Sequence, residues 1–422
     1  MINLINPSQP NSLDDRLDPP LGLMYIAAVL QESGADVKIT DLCMVDRKDW
    51  KRAIGCATTY GVTVFSSSLY IAKEIAQIAK ENNPTGLTVA GGPHPTSLPY
   101  STLEFFDCTV QGEGEFVFSE PFRAIKTMPQ IEDLNELPLP ARDLIDIHAY
   151  TRKVAGRKAT SITTSRGCPY SCAFCCKDVH GQKIRYFSID TVMEEICSIV
   201  GAYGIKSFIF YDDTFALDRE RFYALCKELK QLRHWDVTFR CNGDVRNNTL
   251  DDFRVLYEAG CREIAFGIES GSQEVLDRIG KGTTVKGNRL AIQNAKKVGL
   301  IVKAFLMIGS PGESAKTVED TKKFMEEADP DQYTLFNFVP LPGCAIWKDP
   351  AKYGIKIVNN DFKNFFNIAG QNEGGLVSET EHLTCSQIEK LRQDLIASLG
   401  RPKGPLQDYY EKGVEQRHSR LY

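Results

Sequence analysis

The chain has 422 residues, 42% of them hydrophobic, and a formal charge of −5 with a pI near 5.8. That length gives room for two domains with ample cores, and the mildly acidic balance offers no general field for a polyanion, which argues against nucleic acid as the main partner. No apolar run approaches a membrane span and the start, Met1-Ile-Asn-Leu-Ile-Asn-Pro7, has no basic leader, so neither a membrane partner nor export is expected.

The thirteen cysteines, an odd number, read as reduced thiols in a cytoplasmic setting. From the N-terminus, strand and helix patterns alternate. Ile2–Ile5 is a short apolar run, Leu21–Leu30 has helical periodicity, and Val37–Thr40 and Gly61–Phe65 read as strands. Ile71–Lys80 reads as a helix. Leu87–Ala90 and Cys108–Val110 are strands that run into Gly91-Gly-Pro-His94 and Gly112-Glu-Gly-Glu115. This alternation implies a doubly wound, mostly parallel sheet, with ligands beyond the carboxyl ends of its strands. Ser66-Ser-Ser-Leu69 and the two glycine loops lie at those ends, where glycine lets a backbone approach a ligand closely.

Residues 128–158 hold Pro129, Pro138 and Pro140 among acidic residues and read as a linker over the surface. A second alternating series follows. Ser161–Thr164, Ser207–Tyr211, Val237–Cys241, Glu263–Ile268, Val302–Ile308 and Gln332–Val339 are its strands, with helix patterns between them. Six such units suit a partial (β/α)6 TIM barrel, whose chemistry sits on loops at the carboxyl ends of the strands. The expected layout is a Rossmann-like domain over 1–127, the linker, the barrel over 159–340, and a C-terminal cap over 341–422. The aromatic series Phe362, Phe365 and Phe366 reads as core packing.

The loop after the first barrel strand carries Cys168, Cys172 and Cys175 in Cys-x3-Cys-x2-Cys spacing. A closed zinc site takes four ligands, and a [4Fe-4S] cluster commonly takes four thiolates. Three thiolates leave one iron open for chemistry. Zinc completed by Cys176 or His180 is the alternative, which would make the chain a zinc-containing interaction protein; unrelated free thiols are another. Further candidates stand at successive strand ends. Asp212 and Asp213 offer carboxylates to an ammonium, although each could instead cap a helix. Arg240 could clamp a carboxylate bidentately or serve a structural ion pair. Glu269, in Gly267-Ile-Glu-Ser-Gly271, could accept two ribose hydroxyls, and Met307-Ile-Gly-Ser-Pro-Gly312 leaves room for an adenine.

The cysteine triplet, with Phe174 before its last member, resembles the cluster motif of radical S-adenosylmethionine enzymes, and the resemblance extends from about Ala159 to Pro340. It implies that Cys168, Cys172 and Cys175 hold the cluster, that Asp212 or Asp213, Arg240 and Glu269 contact S-adenosylmethionine, and that an electron donor such as flavodoxin or ferredoxin supplies the reducing electron. The implied chemistry is hydrogen abstraction by a 5′-deoxyadenosyl radical. Pro19-Pro-Leu-Gly-Leu-Met-Tyr-Ile-Ala-Ala28 and the two glycine loops resemble the cobalamin-binding domain joined to one class of these enzymes, with Ser67, Gly91, Gly92, Gly112 and Glu113 as cobalamin contacts and His94 either a structural residue or a corrin-side contact. No Asp-x-His-x-x-Gly segment is present, so the usual lower axial histidine is missing. Many members of that class are methyltransferases. The expected reaction is methylation of an unactivated carbon in a small metabolite or peptide, with radical rearrangement or cyclisation as the alternative. Cys176 and Lys177 read as bystanders, and Cys43, Cys56 and Cys108 do not match a second cluster.

Overall fold

The structure is a computed structural model that describes residues 1–9, 14–119, 124–246, 249–366 and 375–400. The N-terminal sheet has strands β1 (Ile2–Asn6), β2 (Val37–Asp41), β3 (Thr59–Thr63), β4 (Leu87–Gly91), β5 (Cys108–Gln111) and β6 (Ala124–Thr127). They run parallel in the order 2-1-3-4-5-6. Leu4, Ile5, Val62, Val89 and Ala90 are all buried, because a parallel sheet covered on both faces needs apolar side chains on both. The order reverses between β1 and β3, which opens a crevice at their carboxyl ends. β6 was not expected. Its four residues are Ala-Ile-Lys-Thr, none fully buried, and an edge strand of that kind carries little hydrophobic signal.

Residues 128–158 correct the expectation of a surface linker. Leu134, Leu137 and Ile147 are buried in the large barrel core. Arg142, itself buried, donates to Glu195 at 2.5 Å and to the Ser161 carbonyl at 2.8 Å. The segment ends in a hairpin, β7 (Lys153–Val154) and β8 (Arg157–Lys158), whose Val154 packs against Ala159 and Ile209.

The barrel strands are β9 (Thr160–Ile162), β12 (Ser207–Phe210), β13 (Thr238–Gly243), β14 (Cys261–Glu269), β15 (Ile301–Ile308) and β16 (Gln332–Asn337). They form one parallel sheet in the order 16-15-14-13-12-9, the six units expected. Between β9 and β12, the short strands β10 (Ser165–Arg166) and β11 (Arg185–Tyr186) pair antiparallel. The intervening helices begin at Ser188, Asp218, Thr249, Thr284 and Ser314, each accepting a backbone N–H of its own first turn. Strand alternation then sorts side chains. On β14, Ile264, Phe266 and Ile268 join the core under the helices, while Glu263, Ala265, Gly267 and Glu269 take the opposite, interior face.

After β16, Cys344, Ile346 and Ile355 pack with Ala173 of the cysteine loop, so this segment closes over that side of the barrel mouth. Strands β17 (Ile355–Ile357) and β18 (Ser378–Thr380) and a helix over Cys385–Leu399 complete the described part. The expected cap at 367–374 and 401–422 lies outside the described residues. Phe362 and Phe365 pack with Trp347 as an aromatic cluster, which is the core role expected of them. Among the described residues no helix is long and apolar enough to cross a membrane.

Candidate functional site

The pairing of β10 with β11 gathers the intervening chain into a closed loop that carries the three cysteines. Gly167 enters it at φ +93°, and a Cβ there would stand 2.2 Å from the Lys183 carbonyl oxygen, so only glycine is accommodated. The loop is tied internally by Cys168 N–H to the Gly181 carbonyl (3.3 Å) and Cys175 N–H to the Cys172 carbonyl (3.1 Å). It is tied to the barrel by Ala173 N–H to the Ile279 carbonyl (2.8 Å). Cys168, Cys172 and Cys175 all line a cavity of about 1180 Å³ that lies between the two sheets.

No three Cys, His, Asp or Glu side chains converge on one point among the described residues, as ligands of a single ion would. Thiolates on separate corners of a cluster need not converge. The proposed fourth zinc ligands are engaged elsewhere. The Cys176 thiol lies 3.5 Å from Ser97 Oγ, and His180 Nδ1 is 2.8 Å from Glu113. Burial pushes the Cys172 thiol up and the Cys175 thiol up to about 12, so metal loading must displace their protons. The Lys177 ammonium nitrogen is buried in the cavity wall without a hydrogen-bond partner among the described residues.

The same cavity is bordered by the carboxyl ends of the N-terminal strands. Gly22, Gly61, Gly91, Gly92, Gly112 and Gly114 line it, with apolar Leu4, Val62 and Val110 beside them. A Cβ on Gly22 would meet nothing within 4 Å, and one on Gly91 only Val110 at 4.0 Å. These backbones therefore border open space of the kind a flat macrocycle fills. Gly112 is different: a Cβ there would lie 2.5 Å from the Met128 carbonyl oxygen, so its missing side chain makes room for the chain leaving the domain. The donor set and this cradle fit a three-thiolate cluster facing a corrinoid.

Of the expected N-terminal contacts, Ser67 is corrected, His94 takes the structural one of its two readings, and Glu113 lines the cavity with its carboxylate committed to other residues. His94 is 1% exposed; its ring nitrogens lie 2.9 Å from Ser66 Oγ and 2.9 Å from Ser101 Oγ, and burial pushes it down to about 4. It is a neutral packing residue set edge-on against Phe362. Ser67 is not among the residues lining the cavity; Thr63 and Phe65 take that place at the end of β3. Glu113 borders the cavity, but its carboxylate turns to the junction of the two domains. Its carboxylate accepts from Arg185 Nη1 (2.7 Å) and Nη2 (2.8 Å) and from Ile131 N–H (2.7 Å), with His180 at 2.8 Å and Arg166 at 3.4 Å. Arg166 also pairs with Glu115 at 2.6 Å and stacks over Tyr25, which itself stacks on Phe187. Burial alone would raise the Glu113 carboxyl, but the bonds from His180, Arg185 and Ile131 and the charge of Arg166 hold it well below the usual carboxylate range.

On the barrel side, Asp212 and Asp213 separate cleanly. Asp212 is 1% exposed and accepts Thr164 N–H (2.7 Å), the Thr164 hydroxyl and the Ser165 hydroxyl (2.8 Å). It fastens the end of β9 to β12, so that although Asp212 also borders the cavity its carboxylate oxygens are already committed. Asp213 is exposed on the cavity wall, its carboxyl raised by the low-dielectric surroundings against the pull of His180 and Lys177. Arg240 is not in the wall; it lies below it, over the ring of Phe305, so the expected clamp is also corrected. The loop after β15 does not reach the wall either, because Gly309 and Ser310 N–H turn back onto the buried Glu313 carboxylate.

Glu269 does reach it. It sits at a register shift between β14 and β15 with φ +62°, a strained conformation for a residue with a side chain. Its carboxylate accepts from Lys281 Nζ at 2.8 Å. The charge of Glu269 outweighs burial and holds the Lys281 ammonium above its ordinary value. Lys281, Asn242, Asp244, Arg246 and Tyr170 are wall residues the sequence reading passed over. Arg246 donates to Asp244 at 2.8 Å and stacks on Tyr170, whose hydroxyl also donates to Asp244.

The family model of the Radical SAM superfamily matches residues 162–325, and that of the B12 binding domain matches residues 18–121. The chain is 32% identical over 425 residues to an uncharacterized methyltransferase, PH0819, of Pyrococcus horikoshii, covering 93% of this chain and 90% of that one. It is 26% identical to the anaerobic magnesium-protoporphyrin IX monomethyl ester cyclase of Rubrivivax gelatinosus, over 82% of this chain and 68% of the relative. In fold it is similar to the radical S-adenosylmethionine methyltransferase TsrM of Kitasatospora setae, solved with cobalamin and a [4Fe-4S] cluster bound. The TM-score is 0.69 at 17% identity, with 94% of this chain and 88% of that one covered.

Proposed function

Because the chain belongs to the radical SAM superfamily, in the branch that joins a B12 binding domain to the barrel, we propose that it is a cobalamin-dependent methyltransferase acting on an unactivated carbon of a small molecule or peptide. The observation that carries this reading is that the three-cysteine loop and the glycine-bordered strand ends of the N-terminal sheet open into one cavity. Bound there, a [4Fe-4S] cluster, S-adenosylmethionine and cobalamin supply the one-electron chemistry and the methyl carrier. An external donor such as flavodoxin or ferredoxin provides the electron, and an oxygen-sensitive cluster with thirteen free thiols suits the cytosol.

The protein's part is holding and positioning. Cys168, Cys172 and Cys175 are assigned as the cluster thiolates. Asp213 offers an exposed carboxylate to a cationic amino group, and the strained Glu269, braced by Lys281, offers two acceptor oxygens to ribose hydroxyls. Gly91, Gly92 and Gly112 present backbone to the corrin face. Among the wall residues of the N-terminal domain there is no histidine to ligate cobalt from below.

The test is anaerobic production with cobalamin supplied, followed by iron, sulfide and corrinoid content. About four irons with labile sulfide and one cobalamin per chain are expected, and incubation with methyl-labelled S-adenosylmethionine should yield S-adenosylhomocysteine. Zinc without sulfide would refute the assignment. The similarity to a cyclase favours a second reading, radical cyclisation on the same scaffold; it predicts the loaded cofactors but no S-adenosylhomocysteine.

A further inference from the structure

Lys177 stands two residues after the third cysteine and reads from the sequence as a bystander. In the fold its side chain is part of the cavity wall, together with Cys172, Cys175 and Asp213. Its backbone belongs to the closed cysteine loop. The Lys177 carbonyl accepts Gly181 N–H at 2.8 Å, and the Gly181 carbonyl accepts Cys168 N–H at 3.3 Å. The residue is thereby fixed in the same turn that presents the thiols. Its ammonium nitrogen is buried, yet among the described residues it has no hydrogen-bond partner.

Three cations of the wall lie close enough for their charges to act on the Cys172 thiol: Lys281, Lys177 and Arg246. Two of them are matched by carboxylates. Lys281 Nζ donates to Glu269 at 2.8 Å, and Arg246 Nε donates to Asp244 at 2.8 Å. Lys177 has no such partner. Its charge also reaches Cys175 and Asp213, but Asp213 is exposed, and among the described residues neither an ion pair nor a hydrogen bond joins the two. An ammonium withdrawn from water without a bonded partner is costly. The cost is offset where negative charge collects on the thiols that the ammonium faces. A [4Fe-4S] core held by three thiolates carries a net negative charge, and reduction makes it more negative. A cation fixed beside such a group stabilises the more negative of its two states, because the attraction grows with the charge.

We infer that Lys177 is a positioning residue for the cluster, whose ammonium faces the thiolates and raises the reduction potential of the loaded protein. This rests on the reading above that Cys168, Cys172 and Cys175 hold a [4Fe-4S] cluster. Lys281 and Arg246 contribute less, because Glu269 and Asp244 offset their charges. The electron comes from the external donor; Lys177 supplies neither electron nor proton, only fixed charge.

The test uses the full chain, loaded with cluster and cobalamin, as wild type, Lys177→Met, Lys177→Arg and Lys183→Met. The last removes a cation of the same loop that is 64% exposed and pairs with Glu132. Electron paramagnetic resonance of the reduced cluster is followed through a redox titration without S-adenosylmethionine, and binding of that cofactor is measured calorimetrically in the same preparations. At the wild-type midpoint, the ratio of reduced to oxidised cluster in Lys177→Met should be about tenfold lower, which is about 59 mV for one electron. Lys177→Arg keeps the charge and should stay within about twofold of the wild type, and Lys183→Met should match it, since an exposed charge is screened. An unmoved potential in Lys177→Met, or an equal shift in Lys183→Met, overturns the inference. Loss of S-adenosylmethionine binding with an unmoved potential also overturns it, because the ammonium would then serve that cofactor's carboxylate. A second measure needs no loading of the variant. In the cluster-free chain Lys177→Met should raise the thermal midpoint, since it removes a buried ammonium without a partner; a lower midpoint would show the charge already satisfied and overturn the inference. A wild type that loads no iron would strike the enzyme reading instead, while the cluster-free midpoint remains readable. An iron-loaded wild type whose potential ignores the substitution strikes only the role of Lys177.

Discussion

Glu113→Gln is expected to loosen the junction between the two domains. The carboxylate is 0% exposed and faces Arg185 and Arg166, whose side chains are 2% and 5% exposed. Removing one partner of a buried pair typically costs about 3–5 kcal/mol, because the remaining charge is left uncompensated. Glutamine keeps one acceptor for Arg185, and Glu115 still holds Arg166 at 2.6 Å, so the lower end, about 3 kcal/mol, is expected. At roughly 2 °C per kcal/mol for a chain of this size, the thermal midpoint should fall by about 6 °C. His180 adds little, being 44% exposed. The assay is anaerobic scanning calorimetry, with Glu132→Gln as the control: its pair with Lys183 is 73% and 64% exposed, and its loss should leave the midpoint unchanged. Because Arg166 lies two residues before Cys168, the variant should also load less iron. A Glu113→Gln midpoint indistinguishable from that of Glu132→Gln would refute the reasoning.

Glu313→Gln tests a buried acid whose carboxyl is raised to about 7 by burial, against the Gly309 and Ser310 amides. A raised carboxyl contributes stability below its unfolded value that is lost as pH rises through its folded value. The wild type should therefore lose roughly 3 kcal/mol between about pH 4.5 and 7 from this group, and the variant's midpoint should be flatter over that window. Glu269→Gln removes the charge that Lys281 pairs with, and S-adenosylmethionine affinity should fall about ten- to a hundredfold by calorimetry; an unchanged affinity would remove Glu269 from the binding site. Replacing Cys168, Cys172 or Cys175 by Ser should abolish cluster loading, whereas Cys176→Ser should retain it, because its thiol turns toward Ser97; iron and sulfide counts decide.

The cysteine loop was legible because its signal is local: three thiols and Gly167 within nine residues, read without knowing what packs nearby. The barrel was legible because each strand end and helix cap repeats at short range. What the sequence concealed was long-range partnership. Asp212 and Asp213 are equivalent in a one-dimensional reading, and only the pleat decides that Asp212, though it too borders the cavity, is buried against Thr164 and Ser165 while Asp213 is exposed. Glu113 looked like a ligand-loop carboxylate because its partners, Arg166 and Arg185, stand far along the chain. Residues 128–158 read as linker because proline and acidic content masked the buried Leu134, Leu137 and Ile147.

The ion pairs of Glu113 help keep the site in shape. The cysteine loop is gripped from two sides by contacts that involve none of its thiols. On one side Arg166 and Arg185 are bound to Glu113 and Glu115 of the N-terminal domain. On the other, Ala173 N–H is held by the Ile279 carbonyl and the Ala173 carbonyl accepts Ile346 N–H at 3.2 Å. Both grips are buried, so the distance between the thiols and the glycine-bordered strand ends is set by folding, before any cofactor binds. A loop tethered to the barrel alone could present a cluster equally well, but it could not fix where a second cofactor lies relative to it. The ionic clasp at Glu113 is therefore the part of this fold that a two-cofactor reaction requires and a one-cofactor reaction does not.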